Sequence, residues 1–388
     1  MKESIKIKNL GPLRNIEIDD IKPLTVLIGE SGSGKSLLMK TLILFRYIYK
    51  MLNIRWYLRN SNVNKSRFKL SMGNLLTPEL KNYFKNKQLE VIYSVEISGR
   101  THSVVYRNGS IDRKTTDSKI PNEDLIFIKE SWISEMRDII PEWAAYGNMP
   151  KKRNLDFYFQ ETLNDFMDAT NIDSDIRLDY LGLSLQIEKK SDNKKFLIKP
   201  LDGSYSPIEW KYSSSGVQTS SSIVTLIDYF STQFSFKDAI GRSIINYLYE
   251  SDTLKSYKPE LEPMDMKKII HIHIEEPELN LFPSAQCKLF DIMALKAFKT
   301  VASDREIRLI IATHSPYFVN YLNVLMHQQD KENRGAVKPE DMAVYRLYNG
   351  TLQPLMATDD SGIPFVDTYD LTEQMESIMK EYESLTSR

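Results

Sequence analysis

Residues Leu24–Ser36 read LTVLIGESGSGKS, and the fold follows from how this stretch is divided. The apolar run LTVLI has the look of a strand buried on both faces. The next eight residues, Gly29-Glu30-Ser31-Gly32-Ser33-Gly34-Lys35-Ser36, fit G-x-x-x-x-G-K-[ST]. After them LLMKTLILFRYIYKML carries apolar residues at helical spacing. Strand, glycine-rich loop and helix in this order make a phosphate cradle. Glycines 29, 32 and 34 let the backbone wrap closely, so that successive N–H groups from Gly29 to Leu37 point inward at an anion. The helix presents its positive end to the same charge. Lys35 is placed to reach the β- and γ-phosphates of ATP, and the Ser36 hydroxyl to bind Mg²⁺.

A phosphate loop of this kind needs a second strand that carries acids to the metal. KIIHIHIEEPE (268–278) supplies an apolar strand ending in Glu275 and Glu276. Glu275 is expected to orient Mg²⁺, directly or through water, and Glu276 to polarise the attacking water as general base. Farther on, LIIATHSP puts His314 just beyond another buried strand, where an imidazole can donate to the γ-phosphate and register its loss. His271 and His273 share one strand face. With no third ligand apparent, packed structural histidines are expected rather than a metal pair.

The 388 residues are 41% hydrophobic and 27% charged, with a net charge of −1. That composition describes a globular chain with a substantial core and no global field to draw it onto nucleic acid or membrane. A single cysteine, Cys287, excludes a disulfide framework and any cysteine-built metal site. No stretch approaches the length of a membrane span, so a cytoplasmic protein with no membrane contact is expected. Alternating strands open the chain and a hairpin turns at Ser98-Gly99. A second hairpin turns at Asp192-Asn193, and a charged amphipathic helix closes the sequence. With no repeats or low-complexity linkers, one α/β unit spanning 1–388 is expected. Within it lie an N-terminal lobe (1–131), a middle lobe with an insertion (132–266) and a C-terminal lobe (267–388). From Leu42 to Ser71 there is no acidic residue, while Arg46, Lys50, Arg55, Arg59, Lys65, Arg67 and Lys69 interleave with aromatics. The preferred reading is an amphipathic helix that buries its aromatics and solvates its basic face; contact with nucleic acid is the alternative.

Tyr212–Gln218, YSSSGVQ, is by itself either loop filler or a phosphate-touching surface. The order of motifs decides. Phosphate loop, SSSGVQ, IEEPE and ATHS in succession resemble the ATP-binding-cassette superfamily in its non-transporter branch, which includes RecF, the SMC heads and the OLD-type AAA ATPases. IKIKNLGPLRNIEI and IEEPELNLFPSAQ resemble that branch closely. The resemblance implies a mixed α/β ATPase head with a signature-bearing helical lobe, ATP and Mg²⁺ as ligands, and a homodimer or higher oligomer formed through the ATP sites. It makes Ser214 and Gly216 the phosphate-contacting signature positions, acting across that dimer. The helix from about Gln218 would aim at the γ-phosphate. Departures are Ser213 for the usual leucine, Val217 for a common acid, Glu275 for aspartate, LFP for LHP, and an insertion at 232–266; no Q-loop glutamine is assigned.

There is neither a long coiled coil nor a nuclease-like Asp-x-Asp after His314. A head of this kind resembles the ATPase subunits of two-gene anti-phage systems such as Septu and PARIS, which implies a separate effector, a nuclease or toxin. A RecF-like repair ATPase acting on DNA and a nucleotide-gated scaffold with little turnover are the alternatives.

Overall fold

The computed structural model describes residues 1–63, 72–112, 119–133, 157–171, 175–190, 193–250, 254–328 and 334–386. The chain opens with β1 (Lys2–Leu10), β2 (Leu13–Ile18) and β3 (Leu24–Ile28), followed by the long helix α1 (Lys35–Asn60). Next come β4 (Glu90–Ile97), β5 (Arg100–Arg107), β6 (Ser110–Ile111) and β7 (Ile126–Ile133), then α2 (Phe157–Ala169). A small sheet follows: β8 (Ile176–Leu178), β9 (Leu183–Lys190), β10 (Asn193–Pro200) and β11 (Ile208–Glu209). Helices α3 (Ser215–Asp228) and α4 (Phe236–Glu250) lead to β12 (Lys267–Glu275), α5 (Pro283–Ala294), β13 (Glu306–Thr313) and α6 (Pro316–His327). The chain then forms β14 (Met342–Tyr348), β15 (Thr351–Pro354), β16 (Met356–Thr358), β17 (Pro364–Val366) and α7 (Tyr369–Thr386).

Eleven described strands join in the order β6-β5-β4-β1-β2-β15-β14-β3-β13-β12-β7. From β14 to β7 every pairing is parallel, while β1, β2, β4, β5 and β6 form an antiparallel wing. The wing's β4–β5 hairpin turns at Ser98 and Gly99, both at positive φ, as the sequence predicts. Between α2 and α3, β8–β11 form a separate antiparallel sheet. Its β9–β10 hairpin pairs in register, and the tip at 191–192 lies outside the described residues.

α1 packs against β7, β12 and β13 of the parallel region and also against β4 and β5 of the wing. A helix enclosed this way buries residues all round, Leu38, Leu44, Phe45, Ile48 and Tyr49 among them. The expected solvated basic face is therefore corrected. Arg46 is 0% exposed and Lys50 is buried, because no side of the helix over these turns faces water. Arg59 stacks over Trp56 at 4.7 Å. Lys65, Arg67 and Lys69 lie outside the described residues. Buried lysines need acids nearby, and α2 supplies them: Glu161 lies 3.5 Å from Lys50, and Asp165 lies 2.7 Å from Lys129 of β7. Burial pushes the Asp165 carboxyl up to about 6, although Lys129 pulls the other way.

Candidate functional site

The parallel register brings the sequence motifs to one edge. Ile28, the last residue of β3, pairs with Thr313 of β13, and Ala312 pairs with Glu275 of β12. The phosphate loop, the two glutamates and His314 therefore leave the carboxyl ends of three adjacent strands, where ligands of open α/β sheets bind.

Two glycines of the loop are dictated by close approach. A Cβ on Gly29 would sit 2.6 Å from the Leu347 carbonyl oxygen. On Gly34, at φ +105°, it would sit 2.7 Å from Leu13 Cδ2. Around Gly32, at φ +77°, nothing lies within 4 Å, so that side of the cradle is open. Glu30, Ser31 and Ser36 are exposed at the rim and Leu37 is buried beneath it. Ser33 Oγ is buried without a hydrogen-bond partner. The Lys35 ammonium donates to the carbonyls of Gly29 (2.8 Å) and Glu30 (3.0 Å). Burial lowers its pKa, opposed by the fields of Glu276, Glu278 and Glu275. A desolvated cation facing three carboxylates is what a polyphosphate and its divalent ion would enter.

Glu276 is held in the left-handed region at φ +47°, a conformation that costs a non-glycine residue about 1–2 kcal/mol. Its N–H donates to the Ala312 carbonyl at 2.8 Å, anchoring the turn to the neighbouring strand. Its Oε1 then stands 3.4 Å from His314 Nε2, with both side chains part-exposed. Glu275, one residue earlier, ends the strand beside it.

The sequence reading missed Glu278. Its Oε1 accepts from the His314 backbone N–H at 2.6 Å, while its Oε2 is buried without a partner. The signal was present as a third acid after the proline of EEPE, where the turn folds back onto the next strand end. Gln286 was missed as well. It accepts from the Ser315 hydroxyl at 2.6 Å and donates to the Leu281 carbonyl at 2.9 Å, joining the start of α5 to the cap of α6.

Ser214 is the N-cap of α3, so the helix begins three residues earlier than the sequence suggests. Its exposed hydroxyl accepts from the Val217 N–H at 3.4 Å. Gln218 spends its amide on the carbonyls of Trp210, Lys211 and Ser213, which locks the turn before the cap. A Cβ on Gly216 would meet the Asn280 carbonyl oxygen at 2.5 Å. The turn at the start of α3 is thus seated on the loop that follows the glutamate pair of its own chain.

His271 and His273 lie farther back on β12, fully buried. His271 Nδ1 donates to Glu130 at 2.7 Å, and its Nε2 faces Glu3 at 3.3 Å. Arg46 donates to His273 Nε2 at 2.9 Å and to Glu3 at 2.5 Å, and Tyr93 donates to Glu3 at 2.6 Å. Burial and Arg46 press against a charge on His271, yet Glu130 and Glu3 raise its pKa overall. Burial and Arg46 hold His273 well below the usual imidazole range. Burial alone would raise the Glu3 pKa, but Arg46, His271 and Arg308 keep it well below the ordinary value. These histidines are structural partners, as their setting in a buried strand suggests. Among the described residues no cluster of three or more His, Cys, Asp or Glu could hold a metal.

A mixed α/β sheet with a phosphate loop and a glutamate pair at the carboxyl ends of adjacent parallel strands defines the fold class. The chain belongs to the AAA ATPase domain family, whose profile matches residues 1–319. No curated protein matches it. Among solved structures it is similar to an Smc head bound to the C-winged helix domain of ScpA, at 12% identity, TM-score 0.38, covering 94% of this chain and 97% of that one. It is similar also to an Smc head with an extended coiled coil bound to the C-terminal domain of ScpA derived from Pyrococcus furiosus (11%, TM-score 0.39, 98% of both chains). A third is the recombination mediator protein RecF in the RecFOR pathway (11%, TM-score 0.34, 91% and 98%). No described helix is long and apolar enough to cross a membrane.

Proposed function

We propose that this chain hydrolyses ATP, with Glu276 as general base, His314 as the γ-phosphate contact, and Lys35 and the loop Gly29–Leu37 holding the phosphates. The observation that carries the reading is the backbone of Glu276. A glutamate is kept at φ +47°, where glycine or asparagine would be at ease, and its carboxylate stands 3.4 Å from His314. Strain of this kind persists where geometry serves chemistry. Ser36 and Glu275 would hold Mg²⁺, which supplies charge neutralisation at the phosphates when bound. Glu278 positions the turn of His314 through its backbone N–H. Lys35, already stripped of water, trades its loop carbonyls for phosphate oxygens.

The site closes across a homodimer in this reading, with Ser214 and Gly216 of one copy meeting the ATP held by the other. Ser214 is an exposed helix cap, and Tyr212 and Phe282, on the two loops joined at Gly216–Asn280, are 73% and 78% exposed. Two bare aromatics beside an anion-ready helix start suit a face that a second copy covers. The ATPase cycle would control a separate effector, a nuclease or toxin, in anti-phage defence. Direct action on DNA is less favoured, because Arg46 and Lys50 of the basic stretch are buried.

The test is Glu276→Gln. ATP binding should persist, turnover should fall by about 10²–10⁴-fold, and a nucleotide-dependent dimer should accumulate. Wild-type turnover already indistinguishable from that of the Gln variant would leave a nucleotide-gated scaffold instead.

A further inference from the structure

The helix α7 stands apart from the body it is attached to. Its first turn is fixed: Asp370 pairs with Arg346 of β14 at 3.2 Å, and Leu371 packs against the core. From Glu373 to Thr386 every residue whose side chain is described is exposed. Exposure is ordinary for the polar residues, but Ile378, Met379, Tyr382 and Leu385 are exposed by 53–68% as well. In the sequence, Leu371, Met375, Ile378, Tyr382 and Leu385 follow at spacings of four, three, four and three. That is the a/d pattern of two heptads, the seam that one helix offers to another. A solvated helix of this length is marginal in water unless its apolar stripe is covered. An effector or a second copy could cover it.

Charge separates the two. α7 carries Asp370, Glu373, Glu376, Glu381 and Glu383 against Lys380 alone. Glu381 stands beside the seam and Glu376 and Glu383 one position farther out, so a second copy would bring further acid and no cation to these flanks. A basic helix would meet opposite charge along both flanks.

We infer that α7 is the docking helix for a separate protein, which it receives by pairing its Ile378–Tyr382–Leu385 seam with an amphipathic helix flanked by lysine and arginine. The inference rests on the proposed function only for the existence of such a partner; the surface itself is independent of ATP chemistry.

The experiment uses the full chain and three synthetic peptides of three heptads with leucine at a and d. One has Lys and Arg at e and g, the second Glu at e and g, and the third has the first peptide's composition scrambled. Fluorescence anisotropy should show the basic heptad peptide binding at least tenfold more tightly than the other two. Added salt should weaken that binding, and Ile378→Ser with Tyr382→Ser should remove it while ATP turnover stays at the wild-type rate. These side chains are exposed, so the variant should fold. Equal binding of the three peptides, or no binding, overturns the inference. So does sedimentation showing self-association that Ile378→Ser abolishes. Turnover is read separately through Glu276→Gln, so failure of the docking surface and failure of the ATPase reading give different patterns.

Discussion

The middle and the end of β12 treat charge in opposite ways. At its middle, His271 and His273 are sealed among Glu3 of β1, Arg46 of α1 and Glu130 of β7, so every charged partner comes from another element of the fold. At its end, Glu275 and Glu276 emerge into a part-exposed edge, with one backbone strained and the Lys35 ammonium within their field. The strand is continuous; the difference lies in what covers it. Enclosure by α1 and the antiparallel wing forces complete pairing in the middle, because an unpaired buried charge is costly. Openness at the end leaves the Glu276 carboxylate and the His314 ring part-exposed. One strand thus carries both a buried anchor and a part-exposed carboxylate pair, His273 and Glu275 standing about 7 Å apart along the backbone at about 3.3 Å per residue.

Four substitutions would break or sharpen that contrast. The largest effect belongs to the open end: Lys35→Ala should abolish measurable ATP binding and turnover, read by nucleotide titration and phosphate release, with the fold intact by circular dichroism. In the sealed middle, Glu3→Ala should strip Arg46 of its carboxylate partner, leave His271 with Glu130 alone, and cost about 3–5 kcal/mol in denaturant unfolding. Gly216→Val should force the signature turn off the Asn280 carbonyl and cost about 1–3 kcal/mol, with the loss visible in the same unfolding curve. The smallest effect is a gain. Glu276→Gly should relieve the left-handed strain and stabilise the protein by up to about 1 kcal/mol while removing catalysis. A loss of stability there would mean that Glu276 is held by contacts rather than strained.

Acidity tests the same contrast from the buried side. The His271 pKa is raised on folding, so its contribution is fully present below the ordinary imidazole value and is lost as pH climbs through the raised one. The Glu3 pKa is depressed, so its contribution is present above the ordinary carboxylate value and is lost as pH falls through the depressed one. Stability should therefore decline on both sides of an intermediate pH. His271→Gln should flatten the alkaline decline and shrink the acid one, since His271 is among the charges that hold Glu3 down, as read by melting temperature across pH.

The phosphate loop, the glutamate pair and the position of His314 were legible in the residues, because each is a short motif at a strand end whose chemistry is local. The hairpin at Ser98-Gly99 was legible for the same reason, two adjacent residues needing positive φ. The basic stretch in α1 was misread because helical spacing reports that a helix buries one face, not that a second surface closes over the other. Glu278 went unassigned since its partner, the His314 N–H, lies 36 residues away.

What the sequence determined by itself is the cradle and its acids: glycine where backbone must approach, an ammonium at the helix start, carboxylates after an apolar run. Only the tertiary structure decided that Arg46 serves Glu3 and His273, that Gly216 makes room for Asn280, and that Glu276 turns left-handed toward His314. Those choices depend on which surfaces meet after the strands are ordered, and sheet order joins residues too distant along the chain for local spacing to reveal.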